Sequence, residues 1–398
     1  MLFRSLPFCL AGAEDALTAD LLARSRVRSP VVAEVEAGRE AAAAEVRQAG
    51  AWANPEVEVG VGRTEVDEER DATWSVGVRQ RLPWPGRRSA AVAAARAGLA
   101  VQEAEAATAW LETEAGHRRA IIEASAAEAA LALAEVEREV VESLARQVEG
   151  RVRAGDAGKA ERARCAVEKV QAQTACAEAA LRVRRARQAL AALCGEAVPT
   201  LPPLADPAAP PDLAALRTVA AQHPALRRAE ATLRQREAGQ VAARRAWRPD
   251  LDLGVEVGGE GEERSATLVL AVAVPVFDRG AVAIAVAGAE QRRAEAALVR
   301  ERRRLTLDLD TAHAAAVAAQ AGFTSLRDEA RPQAVEALRL IQAAHAAGEA
   351  SLTEVLEARR ALHAVDAALL AARVAGAEAA IALGEAAGTF ATVTAEGR

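Results

Sequence analysis

The chain has 398 residues, a net charge of −6, only 3% aromatic residues and no tyrosine. The acidic balance excludes the basic footprint of a nucleic-acid binder, and so few large side chains exclude an ordinary globular core of this size. Alanine dominates, with Glu, Arg and Leu, which reads as long helices packed closely through small residues.

Residues 1–20 read as a possible remnant of a leader. Arg4 precedes the apolar Leu6-Pro7-Phe8-Cys9-Leu10, and Ala11-Gly12-Ala13 has the Ala-x-Ala form of a cleavage site, with an apolar stretch short of the usual length of about 7–15 residues. Cys9 follows Pro7-Phe8, a poor lipoprotein box, so lipidation is not expected there. No continuous apolar run reaches about 18 residues, so no transmembrane helix is expected. Cys165, Cys176 and Cys194 form no CxxC pair and read as small packing residues.

The rest is one unit written twice. Ser29-Pro30 recurs as His223-Pro224, and Asn54-Pro55-Glu56-Val57-Glu58-Val59-Gly60 as Arg248-Pro249-Asp250-Leu251-Asp252-Leu253-Gly254, both at an offset of 194. Arg153-Ala154-Gly155-Asp156 recurs as Ala346-Ala347-Gly348-Glu349 at an offset of 193. The first repeat covers 21–197 and the second 213–390, before a tail at 391–398. Between them, residues 198–212 hold six prolines in fifteen positions, an extended linker.

Each repeat reads helix, β-hairpin, long helical hairpin. The first is helical from Pro30 to Trp52. Its β-hairpin spans 54–82, with a polar turn at 64–71. Val57, Val59, Val76 and Val78 alternate with polar or glycine positions. A helix from Arg87 to Arg153 follows, about 100 Å long at 1.5 Å per residue. The way back, residues 156–193 plus 213–247, matches it in length. The second β-hairpin spans 249–275 with its turn at 259–264. Leu251, Leu253 and Val255 alternate with Asp250, Asp252 and Glu256, while its second strand, carrying Leu268 and Leu270, is apolar on both faces. The second long helix starts at Ala281 and is expected to kink at Pro332. The hairpin tips fall near residues 155 and 348.

Strands of about 9–11 residues suit a tilted transmembrane strand. Four strands cannot close a barrel, and lipid forbids open edges, so chains must pool strands. Two chains would give eight strands, an interior that side chains fill; three would give twelve. The expected fold is mainly α with a small β part: long coiled-coil hairpins, plus two β-hairpins contributing to a trimeric twelve-stranded β-barrel. On this reading Val57, Val59, Val76, Val78, Leu251, Leu253, Val255, Leu268 and Leu270 face lipid and Glu256 faces the lumen.

The tip motif Ala347-Gly348-Glu349-Ala350-Ser351-Leu352-Thr353-Glu354-Val355-Leu356-Glu357-Ala358 and the junction Leu82-Pro83-Trp84-Pro85-Gly86-Arg87-Arg88 resemble the TolC-like outer-membrane efflux proteins. The resemblance implies a homotrimer in the outer membrane with a large periplasmic part, passively conducting small molecules or metal ions. It also implies docking on a periplasmic adaptor (membrane fusion protein) and an inner-membrane transporter, of the resistance–nodulation–division type by the form of the junction. A protein-secretion duct of the same family and a soluble structural coiled coil are the competing readings.

By the same resemblance Glu354 and Glu357 line a periplasmic mouth, and Gly155, Asp156, Gly348 and Glu349 are adaptor-contacting tips. Arg164 is the first-repeat position matching Glu357, so a Glu–Arg tie is expected to latch the mouth. The first tip departs from the family pattern, lacking apolar residues after the turn. The five histidines show no HxxxH or HExxH spacing. No metal site, cofactor, catalytic residue or nucleic-acid partner is expected.

Overall fold

The computed structural model describes residues 16–66, 69–155, 158–260 and 262–388. Cys9, the tip residue Asp156 and the tail at 391–398 lie outside these.

The elements follow in the order α1 (Ala16–Arg28), α2 (Pro30–Gly50), β1 (Glu56–Val66), β2 (Glu69–Leu82), α3 (Arg87–Ala154), α4 (Lys159–Cys194), α5 (Leu213–Ala220), α6 (Pro224–Ala246), β3 (Leu251–Glu260), β4 (Glu263–Val272), α7 (Ala281–Ser325), α8 (Arg331–Ala346) and α9 (Leu352–Ala387). Helix α1 begins inside the leader-like stretch. The two repeats carry the same succession, with one interruption in α7–α8.

Four local expectations change. The polar turns shrink, because β1 runs to Val66 with β2 starting at Glu69, and β3 runs to Glu260 with β4 starting at Glu263. A ladder needs only paired backbone groups, so it continues through sequence that carries no apolar face. The helical path expected over 213–247 breaks between Ala220 and Pro224. Proline disfavours helix at the residue before it and is at home in a first turn. The same chemistry separates α1 from α2 at Ser29-Pro30.

At Pro332 the helix passes through a π turn, Leu326–Ala330, in which the Arg331 N–H reaches back to the Leu326 carbonyl. Pro332, which has no N–H to give, then sits in the first turn of α8. Finally, α9 is long and apolar enough to cross a membrane by length and composition alone. Its apolarity comes largely from scattered alanines rather than a continuous run. Its Ala379, Leu383, Ala386 and Ala387 are buried against Leu216 of α5 and Leu309, Ala312 and Ala316 of α7.

The chain divides into two compact units. One comprises Glu34–Thr108 and Pro224–Arg303, holding the sheet and the helical segments next to it. The other comprises the chain up to Ala33, Ala109–His223 and the chain from Arg304. In this second unit the repeat is visible as packing. Ala186 and Leu190 are buried with Leu21, Ile121, Ala124 and Cys194. Ala379 and Leu383, 193 positions later, occupy the corresponding cluster with Leu216 and Leu309. Cys165 and Cys194 are buried free thiols.

The linker is pinned rather than loose. Asp212 caps α5, accepting from the Ala214 and Ala215 N–H groups at 3.1 and 3.3 Å. Asp206 accepts from Arg373 at 2.8 Å, and Arg373 and Arg327 flank the ring of the buried Phe323. Pro207 lies so close to Gly376 that a Cβ there would come within 2.4 Å of its ring, so only glycine fits.

Candidate membrane face and hairpin tips

The four strands form one antiparallel sheet in the order β1-β2-β3-β4. Side chains alternate along each strand, so register decides which residues share a face. Val57 pairs with Val78, Val78 with Val255, and Val255 with Leu268. One row further on, Val59 pairs with Val76. Leu253 pairs with Leu270 and Leu251 with Val272. All nine strand residues singled out from the sequence therefore stand on one face. Gln80, opposite Leu253, is a polar residue in that field.

This face is open. Val57, Val59 and Leu268 are 66%, 67% and 71% exposed, far above what a monomeric soluble sheet tolerates over so large a contiguous area. The opposite face carries Glu58, Arg79, Arg81, Asp252 and Glu256. Arg79 reaches Glu58 at 3.4 Å, and Arg81 reaches Asp252 at 3.2 Å. Among the described residues, the outer edges of β1 and β4 have no strand beside them. Such edges are templates for another strand.

The hairpin tips belong to the other unit. At the second tip α8 ends in a Schellman turn. Gly348, at φ +81°, adopts the left-handed conformation. Its N–H donates to His345 O at 3.0 Å, and the Glu349 N–H donates to Ala344 O at 2.8 Å. The His345 Nδ1–H donates to Ala350 O at 2.7 Å, which leaves Nε2 to accept from Arg151 Nη1 of the first hairpin at 3.1 Å.

Ser351 then caps α9. Its hydroxyl accepts from the Glu354 N–H at 3.3 Å, while the Glu354 carboxylate accepts from the Ser351 N–H at 2.6 Å and from its hydroxyl at 2.9 Å. This capping box is written in the sequence as Ser-x-x-Glu, a signal the sequence reading passed over. The backbone bond first, and the hydroxyl second, hold the Glu354 carboxyl below the usual range. Glu354 thus has a structural task, whereas Glu357 is exposed one turn on.

Among the described residues Arg164 does not pair with Glu357; its guanidinium donates to Thr353 Oγ1 at 2.5 Å. Near this tip, salt bridges between the hairpins come from the next two arginines of α9. Arg359 forks onto Glu137 of α3 at 3.0 and 3.3 Å, with 11% and 21% side-chain exposure. Arg360 pairs with Glu168 of α4, which raises the pKa of Arg360. No local spacing announces either pair, since the partners are far apart in sequence.

The apolar residues of the second tip complete this contact. Leu352 and Leu356 are buried with Val148 of α3 and Cys165 of α4. At the first tip Gly155 also turns at φ +87°, and among the described residues nothing lies within 4 Å of where its Cβ would be. Gly158 precedes α4 without a side-chain cap. Among the described residues no three His, Cys, Asp or Glu side chains gather into a metal-binding group.

The outer membrane efflux protein family model matches this chain twice, over residues 21–196 and 215–389. The two matches start 194 residues apart, the offset of the internal repeat. The solved structures it resembles include the outer membrane protein VceC of Vibrio cholerae, with 18% identity, a TM-score of 0.80 and coverage of 94% of this chain and 96% of that one. They include the MtrE outer membrane channel of Neisseria gonorrhoeae in its open state, at 24% identity, TM-score 0.77 and coverage of 94% and 88%. The CmeC outer membrane channel of Campylobacter jejuni matches at 15% identity, TM-score 0.78 and coverage of 94% and 85%. No curated protein sequence matches. MtrE and CmeC are outer membrane channels.

Proposed function

Because this chain belongs to the outer membrane efflux protein family, and is therefore an outer-membrane protein with a large periplasmic helical part, we propose that three copies form one passive exit duct. Each contributes four strands to a twelve-stranded barrel, β1 of one copy pairing with β4 of the next. Barrel closure satisfies the open edges, which hydrocarbon does not tolerate. The apolar rows around Val57, Val78, Val255 and Leu268 face lipid, and Glu58, Arg79 and Glu256 face a water-filled lumen. Small molecules or metal ions pass from the periplasmic side to the exterior. The tips, Gly155, Asp156, Gly348 and Glu349, meet a periplasmic adaptor that joins the duct to an inner-membrane transporter of the resistance–nodulation–division type.

The observation that carries this reading is the register: it gathers the apolar strand residues on one exposed face of a sheet with two unpaired edges. At the mouth, Glu357 places one exposed carboxylate per copy near the axis. Glu354, held ionised by its hydrogen bonds to Ser351, adds a second.

The test is planar-bilayer recording of purified trimers. The duct predicts discrete channels with a cation preference that Glu354→Gln and Glu357→Gln together lower. Recovery of a soluble monomer without channel activity would contradict it.

A further inference from the structure

The strand–helix junction holds a group of residues that neither the barrel nor the tips explain. One end of the sheet is set by Leu82, Leu251 and Val272, which lie in register with one another. Around that end run residues 51–55, 83–88, 244–250 and 273–280. They contain three of the five tryptophans, Trp52, Trp84 and Trp247, at 57%, 42% and 41% exposure. Phe277, beside the exposed Val274 and Val276, is fully exposed. Large aromatic rings left in the open at the end of an apolar sheet face are suited to the boundary between hydrocarbon and headgroups.

The same four segments carry six arginines, Arg87, Arg88, Arg244, Arg245, Arg248 and Arg279, against two acids, Asp250 and Asp278. This is a basic collar on a chain whose net charge is −6. Both acids are already engaged. Asp250 accepts from Arg87 at 2.7 Å, and Asp278 accepts from the Gly280 N–H at 2.8 Å. Arg245 donates to Gly86 O at 2.9 Å, and Arg88 lies over the Trp52 ring at 4.8 Å.

Arg244, Arg248 and Arg279 are exposed and have no carboxylate partner among the described residues. Helix stability accounts for only part of the collar, because Arg244 and Arg245 lie in the last turn of α6, where positive charge suits the helix dipole. Arg87 and Arg88 stand in the first turn of α3, which holds no acid, although positive charge there opposes the helix dipole. The first turn of α7, at the same end, holds none either.

We propose that the junction binds the phosphate headgroups of anionic phospholipids in the leaflet next to the helical part. The guanidinium fork matches phosphate oxygens bidentately. The aromatic rings hold the arginines at headgroup depth, and the surface charge of the leaflet complements the collar. This inference rests on the membrane-spanning reading of the sheet.

The test uses full-length trimers in vesicles of phosphatidylethanolamine and phosphatidylglycerol, with spin-labelled phosphatidylglycerol or phosphatidylcholine as the quencher of tryptophan fluorescence. Wild type is expected to prefer the anionic label, and the preference falls with salt. Because one basic residue near an anionic surface is worth roughly fivefold, the triple change Arg244→Gln, Arg248→Gln, Arg279→Gln is expected to lower the preference about fivefold or more. Lysine at the same three positions keeps most of it, showing that charge rather than folding is read. Inserted wild-type trimers with no anionic preference, or glutamine variants that retain it, would overturn this inference alone. Wild-type protein whose sheet stays open to protease in these vesicles would overturn the membrane-spanning reading and this inference with it.

Discussion

The two hairpin tips come from one repeated unit, yet they are built by different means. At the second, Gly348 closes a Schellman turn, Ser351 and Glu354 form a capping box, and Leu352 and Leu356 are buried. At the first, the positions 193 residues earlier are Gly155, Gly158, Glu161, Lys159 and Ala163. The turn glycine and the glutamate remain, but the capping hydroxyl and both leucines are gone. The first tip is therefore completed by the second, whose leucines cover Val148 and Cys165. Duplicated halves need not be self-sufficient once each can use the other's side chains. The half that keeps its caps and apolar residues becomes the organising one.

The largest expected effect comes from removing what the second tip supplies. Leu356→Ala, at a position 6% exposed, should destabilise the helical part by about 2–5 kcal/mol. Lys159→Ala, at the site that corresponds to Leu352, should stay within about 0.5 kcal/mol. Urea unfolding followed by helical circular dichroism separates the two, and equal losses would erase the asymmetry.

Next are the arginines. Arg359→Ala removes a forked, mostly buried pair with Glu137 and should cost about 1.5–3 kcal/mol. Arg360→Ala, at a side chain 60% exposed, should cost less than about 1 kcal/mol. A larger loss at Arg360 in the same titration would mean that Glu168, not Glu137, anchors α9.

Capping effects are smaller. Ser351→Ala should cost about 0.5–2 kcal/mol, while Gly158→Ser, at a backbone already extended, should gain a few tenths. Thermal melts of the two variants side by side test this, and no loss at Ser351 would show that the box is idle.

The smallest effect is a pH dependence. The folded Glu354 carboxyl lies below its unfolded value, so its contribution is full above the ordinary carboxylate range and is lost as pH falls through the folded value. Wild-type stability should therefore decline more steeply on acidification than that of Ser351→Ala. Parallel profiles would contradict it.

Much of this was legible in the sequence. The repeat offset, the proline-rich linker and the alternation of Val57, Val59, Leu251 and Leu253 depend on local spacing, and local spacing survives in a single sequence. The hairpin ties did not, because Arg359 and Glu137 meet only after two long helices have been laid side by side. Glu354 was read by its charge, when the serine three residues earlier already assigned that charge to a helix cap. The break at Gln222-His223-Pro224 was written in the proline, but the helical spacing on both sides masked it. Arg87 and Arg88 stand out in the sequence only as part of the junction motif, and no local spacing joins them to Arg244, Arg248 and Arg279; the register brings their four segments to one end of the sheet.

The central claim is that one face of this sheet meets lipid and the other meets water. Val255 and Glu256 are neighbours on β3, with side chains on opposite faces. Arginine at each, followed by gel analysis of heat-modifiable trimers from outer-membrane fractions, tests the claim directly. The account predicts that Val255→Arg loses trimer, at a cost of about 2–4 kcal/mol near the middle of the bilayer, while Glu256→Arg assembles as wild type. Equal yields from the two variants, or loss at Glu256 alone, would contradict it.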